Sequence, residues 1–294
     1  MTPLQSWARL TRLVNLPTAL ADIALGALAT DALPDRWPAF GLLLLASGAL
    51  YSSGMVWNDV FDAEQDYRER PDRPIPSGQI SRRAAALGGG LLMLVGVACA
   101  ALVGGPPAVV AGLLVAAVFL YDGWLKRTAL GPIAMGTCRF LNVLLGVSVT
   151  GTLAWPLGPH LALVVGLYIV GVTWFARTEA RESHKVALAA AAGVMLAALA
   201  VGLAVPVHKP EGTSSPAFVP LLVALGFWLG FPLHRAVVSP TPANVQSGVK
   251  RSLMGLILLD AALAAGAAGT SGLLILLLLA PSLYLNRKRW LYAT

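Results

Sequence analysis

Charge is scarce in this chain. Of 294 residues only 12% are Asp, Glu, Lys or Arg, against 57% hydrophobic, and the mean hydropathy is +0.73. So little charge excludes a soluble enzyme built around one large core and points to a polytopic membrane protein. Cysteine is nearly absent too: Cys99 and Cys138 both lie within apolar stretches, so they read as small core residues and no disulfide framework is expected. No basic, short-apolar, small-residue cleavage pattern opens the chain, and the first helix is expected to stay as an anchor. The net charge of +7 comes without a nucleic-acid motif. Its basic residues sit in short loops, where they report topology.

What is abundant is long apolar runs. They fall at roughly 13 to 30, 38 to 57, 84 to 104, 107 to 121, 129 to 150, 159 to 176, 186 to 206, 217 to 237, 251 to 268 and 271 to 285, most near the length that spans hydrocarbon. Together they predict an all-α bundle forming one integral-membrane domain over residues 1–294. Alternate loops carry Lys and Arg: Arg9 and Arg12, then the cluster from Arg68 to Arg83, then Lys126 and Arg127, Arg177 to Lys185, Arg235 to Arg251, and Arg287 to Arg289. The opposite loops hold only Arg36 and Lys209. The positive-inside rule therefore puts both termini and the polar loops in the cytoplasm. For the last basic cluster to land there, 271 to 285 must cross; a re-entrant segment is the alternative.

The stretch from Asn58 to Ser81 reads NDVFDAEQDYRERPDRPIPSGQIS. Asp59, Asp62 and Asp66 stand at i, i+3 and i+7, so on a continuing helix their carboxylates share a face. Three like charges so close ask for a cation, and oxygen-only ligands suit Mg²⁺ completed by water and substrate phosphate. Asn58 adds an amide oxygen, and Arg73 brings forked donors that match phosphate. This motif, with RPIPSG behind it, resembles the first aspartate-rich motif of the UbiA superfamily of intramembrane prenyltransferases. The resemblance implies a nine-helix core, here with a tenth short helix. It also implies transfer of an isoprenoid group from a prenyl diphosphate to a lipophilic acceptor, with Mg²⁺ as cofactor.

Further along, Tyr121 followed by Lys126 and Arg127 resembles the family's tyrosine and lysine-arginine segment, which implies a tyrosine on the substrate and cations on the leaving diphosphate. The alternative is a topological Lys-Arg pair. Arg139 and Asn142, inside a span, either line a substrate chamber or pair with Asp22 or Asp260. The family's second acidic motif is altered: residues 177–185 read RTEARESHK. Glu179 and Glu182 share a face and are candidates for a second metal, but Arg177 and Arg181 either claim them as ion pairs or bind diphosphate themselves. This departure is similar to the UbiA-like branch named EboC, found in bacterial clusters associated with secondary-metabolite export. Trp57, Phe61, Tyr121, Phe140, Tyr168 and Trp174 are candidates for a carbocation-shielding wall. A terpene cyclase of the same fold, or a non-catalytic isoprenoid-lipid binding or export component, remain the alternatives. The expected location is a bacterial cell membrane.

Overall fold

The computed structural model describes residues 2–33, 35–177, 184–288 and 291. Helix α1, Pro3–Leu10, starts at a capping box in which Thr2 and Gln5 exchange hydrogen bonds of 3.3 and 3.0 Å. It is joined to α2, Leu16–Ala29, through a left-handed residue, Arg12 at φ 47°, and a single 3₁₀ turn. Pro17 starts α2, because proline's missing N–H costs nothing in a first turn. The two pieces meet at 55°, and the bend aims the Arg12 side chain inward.

Helix α3, Trp37–Glu69, has 33 residues. At 1.5 Å per residue it is about 50 Å long, well beyond the hydrocarbon thickness, and Asp59 comes about 33 Å from its start. The acidic motif is therefore the helix's own extension out of the apolar layer. After a folded turn come α4, Arg82–Val103, and α5, Gly105–Gly123. A 3₁₀ turn at Leu125–Arg127 leads into α6, Gly131–Val147. Then follow α7, Leu157–Ala176; α8, Lys185–Gly202; α9, Phe218–Val238; and α10, Pro242–Ala268. Among the described residues there is no strand.

Among the described residues eight stretches are long and apolar enough to cross a membrane, or nine if the bent α1–α2 pair is one span. The last stretch, Pro242–Asn286, reverses at Gly269, whose φ of +68° suits only glycine without strain. Beyond the reversal a 3₁₀ segment, Gly269–Leu278, returns along α10 so closely that a Cβ on Gly272 would collide with the backbone of Ala264 and Ala265. Helix α11, Leu279–Asn286, completes the return and packs on α2 and the Arg12 turn. Together the two pieces span about 32 Å. The tenth apolar run therefore returns alongside α10, mostly as 3₁₀ structure where an α-helix was expected.

Helices α2, α6, α7 and α10 form the centre. Glycine lets α2 and α6 touch: a Cβ on Gly146 would sit 2.6 Å from the Ile23 carbonyl oxygen. Buried Tyr168 on α7 donates to the Ser252 carbonyl of α10 at 2.8 Å, which satisfies a hydroxyl that lipid could not.

Candidate active site

At the basic end of the bundle a cavity of about 820 Å³ opens between α2, α3, α5, α6, α7 and α10. Its mouth is charged and its depth is apolar, with Leu50, Leu114, Val118, Ile169 and Val172 on the inner wall.

The acidic motif supplies one side of the mouth. Asp59 and Asp66 are 2% and 3% exposed, and Arg73 Nη1 lies between them, 3.2 Å from Asp59 and 2.7 Å from Asp66. Arg73 reaches them because the RPIPSG segment folds back on α3. Ser77 donates to the Arg73 carbonyl at 2.7 Å, Gly78 takes a φ of +73°, and Ile75 buries itself against Val56, Val60 and Ala63. Asp59 also accepts from Arg12 Nη2 at 3.3 Å, and the same nitrogen donates to Asn58 Oδ1 at 3.2 Å.

Asp62 belongs to a second group. Lys126 Nζ stands 2.8 Å from it and Arg127 Nη2 3.3 Å. Both cations come from the short turn after α5, and the last turn of that helix places Asp122 beside them. Asp122 accepts from Asn58 Nδ2 at 2.6 Å and lies 3.7 Å from Lys126. Thus the three motif acids do share a helical face, but guanidinium and ammonium groups partition them. Among the described residues no three acids, histidines or cysteines converge on one point. Lys126 Nζ is held by its two carboxylate ion pairs, whereas the buried Arg73 Nε at this mouth makes no hydrogen bond. Such a donor is costly unless a ligand completes it.

Deeper in the cavity, Arg139 and Asn142 reach the wall from α6 and are also paired behind it. Arg139 donates to Asp22 at 3.0 Å and to Thr18 at 2.9 Å. Asn142 donates to Asp22 at 2.8 Å and to the Ala19 carbonyl at 3.0 Å, and accepts from Ser47 at 2.8 Å. Of the two partners considered for Arg139, the direct one is Asp22, with Asp260 buried behind it. Tyr121 lines the cavity as expected, and Tyr51 joins it with the Arg139 guanidinium 5.7 Å from its ring centre. The other aromatics sit elsewhere. Trp57 and Phe61 pack with Phe119 on an outer face, Phe61 being 38% exposed, and Tyr168 is core. Phe140 and Trp174 are likewise not part of the described wall.

Arg177, at the end of α7, is exposed and on the mouth. Arg181, Glu179 and Glu182 lie outside the described residues. Two residues that sequence reasoning passed over belong to the site: Arg12, read only as a topological charge, and Asp122. The clue to the second was its i, i+4 spacing from Lys126, which puts both on one side of a turn.

A helical bundle with membrane-length apolar helices, an apolar chamber, a cation-lined mouth and acids set among the cations is the architecture of an integral-membrane protein. The chain belongs to the UbiA prenyltransferase family, which matches residues 16–254. Digeranylgeranylglyceryl phosphate synthase of Methanopyrus kandleri is 32% identical over 127 residues, 43% of this chain and 46% of the relative. The protein of that name from Halobacterium salinarum is 29% identical over 224 residues, 74% and 79% of the two chains. Among solved structures, a UbiA homolog from Aeropyrum pernix has a TM-score of 0.65 at 18% identity, covering 85% of this chain and 96% of its own. A UbiA homolog from Archaeoglobus fulgidus bound to GPP and Mg²⁺ has a TM-score of 0.61 at 16% identity, covering 85% and 99%. These structural likenesses establish the fold.

The residues present fit a divalent cation. The acids and amide at the mouth are hard oxygen donors, and positive side chains already stand between carboxylates there, as a bound cation would.

Proposed function

We propose that this chain transfers an isoprenoid group from a prenyl diphosphate to a lipophilic acceptor, with Mg²⁺ as cofactor. The observation that carries this reading is the set of cations, Arg12, Arg73, Lys126, Arg127 and Arg177, gathered at the charged mouth of an apolar chamber. Diphosphate oxygens would match them. Lys126, Arg127, Arg73, Arg12 and Arg177 would hold the diphosphate, and the arginine forks give it bidentate contacts. Asp62, with Asn58 beside it and with Asp59 and Asp66 behind Arg73, forms the face that would hold magnesium. Held there, magnesium would supply Lewis-acid neutralisation of charge on the leaving group.

As the allylic C–O bond breaks, its electron pair departs with the diphosphate. The Arg12 and Arg73 guanidiniums stabilise that growing charge because their carboxylate partners hold them in place before it forms. The apolar walls exclude water from the allylic cation, and Tyr51 and Tyr121 offer ring faces. The acceptor then forms the new bond and loses a proton. Arg139 and Asn142, anchored by Asp22, would orient the acceptor's polar end.

The relatives named digeranylgeranylglyceryl phosphate synthase make a polyprenyl glyceryl phosphate the first acceptor to try. We place the protein in the cell membrane with the acidic mouth and both termini cytoplasmic, on the asymmetry of Lys and Arg between alternate loops. The test is reconstitution in liposomes with geranylgeranyl diphosphate, Mg²⁺ and a panel of lipid acceptors, read by mass spectrometry. A prenylated acceptor is expected. Diphosphate release with only cyclised hydrocarbon would replace transfer by cyclisation, and binding without release would refute catalysis.

A further inference from the structure

The acids of this site do not present themselves to the cavity equally. Asp59 and Asp66 stand behind its wall with Arg73 between them; the carboxylates on the wall are Asp62 from α3 and Asp122 from α5. Asp122 is 4% exposed, and Asn58 Nδ2 aligns it with a bond of 2.6 Å to Oδ1. Lys126 Nζ sits between the two wall carboxylates, 2.8 Å from Asp62 Oδ1 and 3.7 Å from Asp122 Oδ1. Its side chain is 10% exposed and its ammonium is ion-paired to both.

An ammonium standing between a buried carboxylate, Asp122, and a partly exposed one, Asp62, occupies the place where their repulsion calls for positive charge. Lysine is suited to hold such a place and then leave it, because its charge rides on a flexible four-carbon stem. Two carboxylates from different helices, completed by water and phosphate, make the donor set that magnesium takes.

We propose that Asp122 is a metal-ligating carboxylate partnered with Asp62, and that Lys126 keeps their shared position until a diphosphate draws its ammonium away. Asp122 lies outside the aspartate-rich motif, so the divalent-cation site spans two helices at this point and depends on how α3 and α5 pack. The proposal rests on the magnesium-dependent reading above, but its test does not require turnover.

The test is Mn²⁺ binding, followed by electron paramagnetic resonance on the full chain in nanodiscs, first with Mn²⁺ alone and then with geranyl diphosphate added. Asp122→Asn keeps an oxygen to accept the Asn58 bond and is expected to retain wild-type thermal stability without metal, yet to weaken Mn²⁺ binding at least about tenfold. Asp122→Glu is expected to recover most of that loss. Lys126→Gln is expected to do the reverse in the absence of diphosphate, tightening Mn²⁺ binding about fivefold or more because the competing ammonium is gone. A purely structural Asp122 would lower thermal stability and leave Mn²⁺ affinity untouched. Unchanged affinity in Asp122→Asn, or no tightening in Lys126→Gln, overturns the proposal even if the protein prenylates an acceptor. Both shifts appearing in a protein that prenylates nothing would sustain it while the transferase reading fell.

Discussion

Replacing Arg139 by methionine should expose how the membrane interior treats an orphaned acid. Asp22 is fully buried, and its Oδ2 accepts from Arg139 at 3.0 Å and from Asn142 at 2.8 Å. Arg139→Met removes the charged donor and leaves a carboxylate with one neutral amide, far from water. Breaking a buried pair by deleting one partner costs about 3 to 5 kcal/mol, whereas replacing both partners by apolar groups is often nearly neutral. The bond from Arg139 to Thr18 disappears as well, at about 1 kcal/mol. Reversible SDS unfolding in mixed micelles would measure the change. The pair itself is isolated by a double-mutant cycle with Asp22→Leu. The double variant should be less destabilised than the two single losses added together, with a coupling of about 2 to 3 kcal/mol. A coupling below about 0.5 kcal/mol would refute the idea that these two groups, 117 residues apart, hold each other in the chamber wall.

Asp62→Asn should lower magnesium-dependent diphosphate release at least about a hundredfold, while Glu179→Ala leaves a measurable rate; equal losses would give the loop at 177–185 the same weight as the first motif. Arg12→Ala should weaken geranyl diphosphate binding about tenfold, roughly 1.4 kcal/mol by calorimetry, with Arg12→Lys recovering only part because an ammonium lacks the guanidinium's further nitrogens for a bidentate grip on phosphate. Chelation by EDTA should stop release, and added Mg²⁺ should restore it, whereas a chelator-insensitive rate would contradict the assigned cofactor. Gly146→Val should cost at least about 1 to 3 kcal/mol through overpacking, seen as lost folded yield, because its Cβ would meet the Ile23 backbone.

The crossings were legible because hydrocarbon imposes a length and forbids charge, so every span announces itself as an apolar run between polar loops. The acidic face of α3 was legible for a similar reason: Asp59, Asp62 and Asp66 are fixed relative to one another by helical geometry alone. The form of the tenth apolar run was not. Leu- and Ile-rich residues 271 to 285 have the composition of an α-helix, and only packing against α10 at Gly272 shows the tighter winding. The aromatic wall misled for the opposite reason, since a large ring at helical spacing suits helix packing or a lipid-facing surface as well as a cavity: Trp57 packs against α4 at Gly89 and Phe61 is exposed.

What could be read from the residues alone was therefore whatever one helix or one loop decides for itself: the apolar spans and the family-like run from Asn58 through Gly78. Partnership across helices belonged to the tertiary structure. Arg73 between Asp59 and Asp66, Lys126 between Asp62 and Asp122, Arg12 on Asn58, and Arg139 on Asp22 all depend on which helix faces lie together. The physical reason is range. Helical geometry correlates side chains over a turn or two, but a buried charge accepts only the partner that packing carries to within about 3 Å, wherever that partner stands along the chain.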